Sequence, residues 1–500
     1  MRTKKAFRNL LFNLFQQIIL IITNFIMPPI LVQNFGSAIN GLVTTIRQIM
    51  NYVQLTGAGI AHASTYAMYK PLANEDYKTL SGIYVATKNM FLKAGHWFSF
   101  LVIIVSLVYP LTLDGQVNYY TAMVLVLVIS ISGASEFYLC GKYQALLNAN
   151  QENHIVAIAQ IIGSITNMIF LILLVALKQN IIVVQLGMSS IYLLRIIILS
   201  TYVKKNYSFL DLKEKPLYDH ISQRNDAIIH QISALIVVGS STLIVSIVRG
   251  LKEASVFNVY FLVFAGVNTI CSIVSSTIYS SFGDVIAKKE QDILRNSYNI
   301  YEYVFFIVVS IVFISTYILI MPFIKLYTVN MTDANYYLPS LAVLFIIVGI
   351  ANNVRNPGLT LVDGAGHFKE TRNRALIEMT LSLIGQLFFG YIYGLHGVLL
   401  GSIISYSYRT IDFILYSNKY ILKQSPKKTF KRIGLNVLFG IVLAVLLKHF
   451  LSYTILSYLD WVVYAIVITI ITSVAVLLFN YIIDKKTFKE CFFVIKSIIN

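Results

Sequence analysis

Polar and apolar positions alternate along this chain in long blocks: runs of about 20 or more mostly apolar residues, separated by short polar stretches. A helix rising 1.5 Å per residue needs about 20 residues to cross a ~30 Å hydrocarbon layer. Fourteen runs meet that length: about 10–33, 38–66, 86–109, 119–141, 154–177, 181–202, 227–248, 255–281, 299–325, 336–356, 374–394, 396–417, 432–451 and 460–483. No strand-like alternation of period two recurs along the chain, so helices rather than a barrel satisfy the backbone. The expected fold class is an all-α polytopic membrane protein. Its opening, "MRTKKAFRN" before a long apolar run, reads as a retained first helix, because the run is too long for a signal peptide and contains Pro28 and Pro29.

The blocks also repeat. "VNYYTAMVLVLVISISG" from Val117 has a counterpart in "ANYYLPSLAVLFIIVGI" from Ala334, 217 residues later. "KPLANEDYKTLSGIY" has a counterpart in "DVIAKKEQDILRNSY", with Glu75 and Glu290 at an offset of 215. "LLNANQENHIVAIAQII" has a counterpart in "LVDGAGHFKETRNRALI", with Ala149 and Ala365 at an offset of 216. Nearly one offset in three places implies two copies of a six-span unit. The expected organisation is an N-terminal lobe over 1–203, a cytoplasmic linker over 204–226, a C-terminal lobe over 227–417, and a basic loop with two extra helices over 418–500. An even number of spans per copy gives both copies the same orientation, and repeated lobes in a membrane commonly enclose a substrate path.

Composition agrees: 57% of the 500 residues are apolar and 12% charged, against about 25% charged in ordinary soluble domains. Lys and Arg supply the orientation. With both termini on the cytoplasmic side most of them fall in cytoplasmic loops, and the opposite loops hold only Lys178, Arg249, Lys252, Lys325 and Lys448. The net charge of +17 is therefore a topology and lipid-surface signal, with nucleic acid excluded as a partner. Cys140, Cys271 and Cys491 are far apart in sequence and suggest neither disulfide nor metal. The chain shows no phosphate-binding glycine loop, no nucleophile elbow, and no loop long enough for a catalytic domain, so it is not expected to be an enzyme or to carry a cofactor.

One span departs from the apolar rule. In "INGLVTTIRQIMNYVQLTGAGIAHAST", Asn40, Thr44, Arg47, Asn51, Gln54 and His62 fall within one stripe about 80° wide at 100° per residue. A face polar through the membrane lines water, a substrate path or a hydrogen-bonded helix interface. Arg47 lies about nine residues from the outer end of its helix, roughly 14 Å deep, too deep for easy snorkelling. Its planar fork suits a phosphate. The equivalent span of the second copy carries Asn258, Asn268, Ser272, Ser275 and Tyr279. The first span carries Asn13, Gln17 and Asn24 before a bend expected at Pro28-Pro29, and the seventh carries "VVGSSTLIVS". The substrate-binding candidates are Arg47, Asn40, Thr44, Asn51, Gln54, Asn24, Asn258, Asn268, Ser272 and Arg249, facing a central cleft. Arg195, Arg355, Arg409, Glu136 and Glu378 lie in the cytoplasmic half, where local pairs Arg409 with Asp412 and Arg374 with Glu378 are expected.

The polar-striped span and the following "YAMYKPLANEDYKTLSGIY", together with "ALLNANQENHI", "GAGHFKETRNRALIEMTLSLIGQ" and "GLHGVLLGSIIS", resemble bacterial polysaccharide-biosynthesis flippases of the multidrug/oligosaccharidyl-lipid/polysaccharide exporter superfamily. The resemblance covers spans 1–12. It implies a MATE-like pair of lobes working by alternating access in the plasma membrane. The substrate implied is an undecaprenyl-pyrophosphate-linked repeat unit, with polysaccharide polymerase and glycosyltransferases as partners and a proton or sodium gradient as drive. Cationic cavity residues would hold the pyrophosphate, and Arg47 is the candidate by position. The alternatives are a peptidoglycan lipid II flippase and a drug/cation antiporter of the same superfamily; the latter would prefer an acidic, aromatic cavity.

Overall fold

The computed structural model describes residues 2–57, 59–190, 192–221, 225–287, 290–451 and 455–491. Among these no strand occurs, and the chain forms two compact units, Met1–Ser255 and Val256–Asn500. The first holds α1 (Arg2–Val53), α2 (Ile60–Ala73), α3 (Tyr77–Val108), α4 (Tyr119–Ser135), α5 (Gly141–Ala149), α6 (Asn153–Ala176), α7 (Ile181–Ser190), α8 (Tyr192–Asn206), α9 (Asn225–Arg249) and the start of α10 (Leu251–Ala287). The second holds the rest of α10, α11 (Gln291–Tyr327), α12 (Pro339–Val354), α13 (Asn356–Gly364), α14 (Phe368–Tyr393), α15 (Leu395–Tyr416), α16 (Lys427–Phe450) and α17 (Tyr458–Ile483).

Thirteen helical stretches among the described residues are long and apolar enough to span a membrane. The first of them carries two of the fourteen expected spans. As 52 helical residues, α1 would be about 78 Å long, more than twice the ~30 Å core. Gly36 divides it, with φ 82° and ψ 164°, a conformation that a residue without Cβ adopts without strain. The bend expected at Pro28-Pro29 therefore falls eight residues later, and both prolines stay inside the helix. The second expected span is also interrupted: α1 ends at Val53, a tight turn covers Gln54–Gly57, and Gly59 (φ 82°) starts α2. His62 thus sits on a different helix from the stripe that the sequence assigned to it.

The two halves share local devices. Gly250, 214 residues after Gly36, also has a positive φ (93°) and separates α9 from α10. Asn118 accepts hydrogen bonds from the Tyr120 and Thr121 amides, and Asn335 accepts one from Tyr337. The fourth span of each copy is broken, by a π-helical turn at Glu136–Cys140 in one and at Arg355 in the other.

Packing in the first unit forms two apolar clusters. One gathers Leu42, Val43, Ile46 and Met50 of α1 with Phe98, Leu125, Val126 and Val184; the other gathers Met68, Leu80, Ile83, Leu146 and Leu199. In the second unit Ile307, Ile314 and Ile318 of α11 meet Leu447 of α16 and Ile468 and Val476 of α17. Outward faces are apolar as well: Ile441, Val445, Ile466 and Ile470 are exposed, as required of helices facing hydrocarbon.

Candidate substrate-binding site

Polar residues that the sequence distributes over five spans converge in the first unit on a cavity of about 350 Å³. From α1 come Thr23, Asn24, Arg47 and Asn51, with Gln54 in the turn that follows. From α4 comes Ser132; from α6, Gln160, Ser164 and Asn167; from α7 and α8, Gln185, Ser189 and Tyr192. Leu20, Met27, Met50, Met168 and Met188 complete much of the apolar wall.

The wall is held by contacts around it. Near its start α1 is fastened to α6 and the turn before it: Asn9 Nδ2 donates to the Gln151 carbonyl at 2.9 Å, the His154 amide donates to Asn9 Oδ1 at 3.0 Å, and Asn153 Nδ2 donates to Asn13 Oδ1 at 3.2 Å. Ser189 donates to the Val128 carbonyl at 3.0 Å and ties α7 to α4. Beyond Gly36, α1 packs against the start of α10, where Asn40 Nδ2 donates to Ser255 Oγ at 2.7 Å.

The charges divide into two kinds. Most buried arginines have carboxylate partners. Arg195 Nη1 lies 3.2 Å from Glu136 Oε2 in the first unit. In the second, Glu378 pairs with both Arg355 and Arg409, and Asp412 pairs with both Arg374 and Arg409. The expected Arg409–Asp412 pair is present at 2.7 Å. Arg374, by contrast, turns to Asp412 and leaves Glu378 to the two arginines from neighbouring elements, because α14 and α15 pack closely and bring cross-helix partners nearer than the same-helix one. Arg195 and Arg409, 214 residues apart, thus both anchor acids on another span, Glu136 partly buried and Glu378 buried.

Arg47 is of the other kind. Its Nη1 donates to Met27 Sδ at 3.0 Å, a weak acceptor, and no carboxylate among the described residues pairs with it. Among the described residues that line the cavity there is no aspartate or glutamate, and Arg47 is the one formal charge. An intramembrane guanidinium without a counter-charge is expensive unless an anion completes it.

Four of the ten sequence candidates, Arg47, Asn51, Gln54 and Asn24, line this cavity. Asn40 is buried against Ser255, and Thr44 donates back to the Gly41 carbonyl at 3.0 Å. Arg249 ends α9 in an exposed position. Asn258, Asn268 and Ser272 belong to the second unit: Asn268 accepts from Asn353 and Ser272 donates to the Asn268 carbonyl. The side chain of Tyr279 lies outside the described residues. The polar run of the seventh span has a packing explanation, since Gly239 lets α9 approach Gln48 and Tyr52 of α1 and Ser240, Ser241 and Thr242 are buried.

Sequence reasoning missed the wall formed by α6 to α8. Its signal was available: Gln160, Ser164 and Asn167, and again Gln185, Ser189 and Tyr192, recur at steps of four and three, one face of a helix in each case. Without a charge, these stripes stood out less than that of Arg47.

No protein-family model and no curated protein sequence matches the chain. Solved structures do. An inward-facing multidrug resistance MATE family transporter of the MOP superfamily superposes with a TM-score of 0.65 at 14% identity, over 82% of this chain and 96% of that one. The lipid II flippase MurJ, in an inward closed conformation, superposes with a TM-score of 0.63 at 16% identity, over 95% of this chain and 99% of the other. An outward-facing MATE transporter of the same superfamily gives 0.53 at 15% identity, over 85% and 96%. The chain is a multi-pass membrane protein with the fold of the MATE transporters and the lipid II flippase MurJ.

Proposed function

We propose that this protein is a flippase that carries undecaprenyl-pyrophosphate-linked polysaccharide repeat units from the cytoplasmic to the outer leaflet of a bacterial plasma membrane, with both termini cytoplasmic. The observation that carries the reading is Arg47, the one charge in a cavity of amides and hydroxyls and without a carboxylate partner among the described residues. Pyrophosphate supplies the missing anion in the bidentate geometry that a guanidinium favours. Asn24, Asn51, Gln54, Gln160 and Asn167 offer donors and acceptors in place of the water around sugar hydroxyls.

In this reading the headgroup enters the cavity, the polyprenyl tail stays in lipid, and two six-span lobes (1–203 and 227–417) alternate access between leaflets, driven by a proton or sodium gradient. A drug/cation antiporter fits less well, because a cationic substrate gains nothing from a cavity whose only charge is positive. A second reading, transport of the peptidoglycan precursor, is favoured by the near full-length likeness to the lipid II flippase MurJ; both substrates present a pyrophosphate to Arg47.

Depletion in cells, with surface polysaccharide and peptidoglycan precursor assayed together, tests the proposal. Loss of polymerised surface glycan with accumulation of undecaprenyl-linked units inside supports it. Accumulation of lipid II and lysis assigns the peptidoglycan substrate, and unchanged export of both glycans overturns the flippase reading.

A further inference from the structure

Gln185 of α7 lines the same cavity as Arg47 and is only 2% exposed, yet its Nε2 has no hydrogen-bond partner among the described residues. Buried polar groups in folded proteins are nearly always paired, so an unpaired buried amide on a cavity wall points to a ligand acceptor. Its neighbour one turn on, Ser189, is already engaged with the Val128 carbonyl. Gln185 is therefore the open donor of that wall.

The chemistry of the missing acceptor follows from the donor. A sugar hydroxyl both gives and takes a hydrogen bond, and the serines, asparagines and glutamines elsewhere in the lining can serve it in either role. An NH2 group with two protons to place is matched best by an oxygen that carries lone pairs and no proton, a carbonyl or a phosphate oxygen, and in the reading above Arg47 already meets the phosphate. About 350 Å³ lies in the range of small-molecule sites and has room for a diphosphate with one sugar ring.

We propose that Gln185 is a specificity-determining residue: its Nε2 donates to the carbonyl oxygen of an acylamino group on the sugar joined directly to the diphosphate held by Arg47. This rests on the lipid-linked diphosphate reading given above. At this residue the protein then discriminates by the first sugar of the glycan.

The test uses the full chain in lipid nanodiscs and three probes: a short-chain polyprenyl diphosphate, the same lipid carrying N-acetylglucosamine, and the same lipid carrying glucose. The wild type should bind the N-acetylglucosamine probe about tenfold more tightly than the glucose probe, the scale of one hydrogen bond to a buried donor. Gln185→Leu should bring that ratio to about one, whereas Arg47→Ala should weaken all three probes and keep the ratio. Equal binding of the two glycosylated probes by the wild type overturns the inference and leaves the flippase reading standing; this arm needs no variant to fold. A ratio unchanged in Gln185→Leu also overturns it. So does a loss of bare diphosphate binding in that variant as large as the loss for the N-acetylglucosamine probe, which would make Gln185 a phosphate ligand. Failure of the wild type to bind any of the three overturns the inference and the proposed function together.

Discussion

A guanidinium inside a bilayer must find a counter-charge, and the arginines of this chain differ in whether the protein supplies it. Arg355 and Arg409 share Glu378, so they are completed within the protein. Removing one side of such a buried pair strands the other charge and costs about 3–5 kcal/mol. Glu378→Ala should therefore lower the thermal midpoint strongly and reduce the yield of folded protein, measured by fluorescence size exclusion after heating. Arg47 has no carboxylate to strand. Arg47→Ala should keep the thermal midpoint near that of the wild type while weakening substrate binding by about 2–5 kcal/mol, roughly thirtyfold or more, with transport in vesicles falling accordingly. Arg47→Lys keeps the charge and loses the fork; if it transports as well as the wild type, bidentate contact to phosphate is wrong. Sequence alone separates Arg47 from the others by depth and stripe and gives Arg409 its partner Asp412; that Glu378 serves both Arg355 and Arg409 needed the fold.

The elements owe their geometry to a few backbone positions. Gly41 lets α1 approach the start of α10 so closely that a Cβ there would stand 1.8 Å from the Leu251 carbonyl oxygen. A backbone atom cannot step aside, so Gly41→Ala must push α1 from α10 and strain the Asn40–Ser255 bond beside it. A marked drop in thermal midpoint is expected. Gly434→Ala is the control: nothing lies within 4 Å of its Cβ position on α16, and alanine should be neutral or stabilise by up to about 1 kcal/mol through helix propensity. Equal effects of the two substitutions would show that close approach is not what Gly41 provides. The broken second span has a similar origin, since Gly59 at φ 82° ends one helical direction and begins another. Periodicity carries that span through to residue 66, because the polar spacing continues across a break that only the dihedral angles reveal.

At the scale of the molecule, the last two spans are attached by a polar cluster rather than by apolar contact alone. Arg432 of α16 reaches Glu302 of α11 at 3.1 Å and Asp484, just past α17, at 2.8 Å, while Thr429 donates to Glu302 at 2.6 Å. Burial by itself would raise the Asp484 carboxyl, but hydrogen bonds from Arg432 and Thr487 outweigh it and hold the pKa down to about 2. A carboxyl held below its usual 3.8 stabilises the folded state in its ionised form. That contribution is complete above about pH 3.8 and disappears as the pH falls toward 2. Protease accessibility of the short helical segment after α17, residues 485–491, should accordingly stay low through mildly acid pH and rise only near the bottom of that window. In Asp484→Asn the acid step should be absent. Arg432→Leu strands the buried Glu302 and should release the α16–α17 pair at every pH, seen as a lower thermal midpoint.

Length and polarity of the blocks determined, from sequence alone, that this is a helical membrane protein with about fourteen crossings, because the hydrocarbon layer imposes one length and one composition on every span. Periodicity also placed Arg47, Asn51, Gln54 and Asn24 on faces turned from lipid, since a polar stripe must be hidden wherever the helix ends up. Which stripes meet was decided by the tertiary structure. The walls carrying Gln160, Asn167 and Gln185 joined Arg47 because α6 and α7 pack beside α1 and α4, and Asn40 left the group because it faces Ser255. Ion pairing followed the same rule: Glu378 sits four residues from Arg374 in the chain but is claimed by Arg355 and Arg409 across helix contacts. Spacing along one helix tells which face a residue occupies, and only packing tells what that face meets.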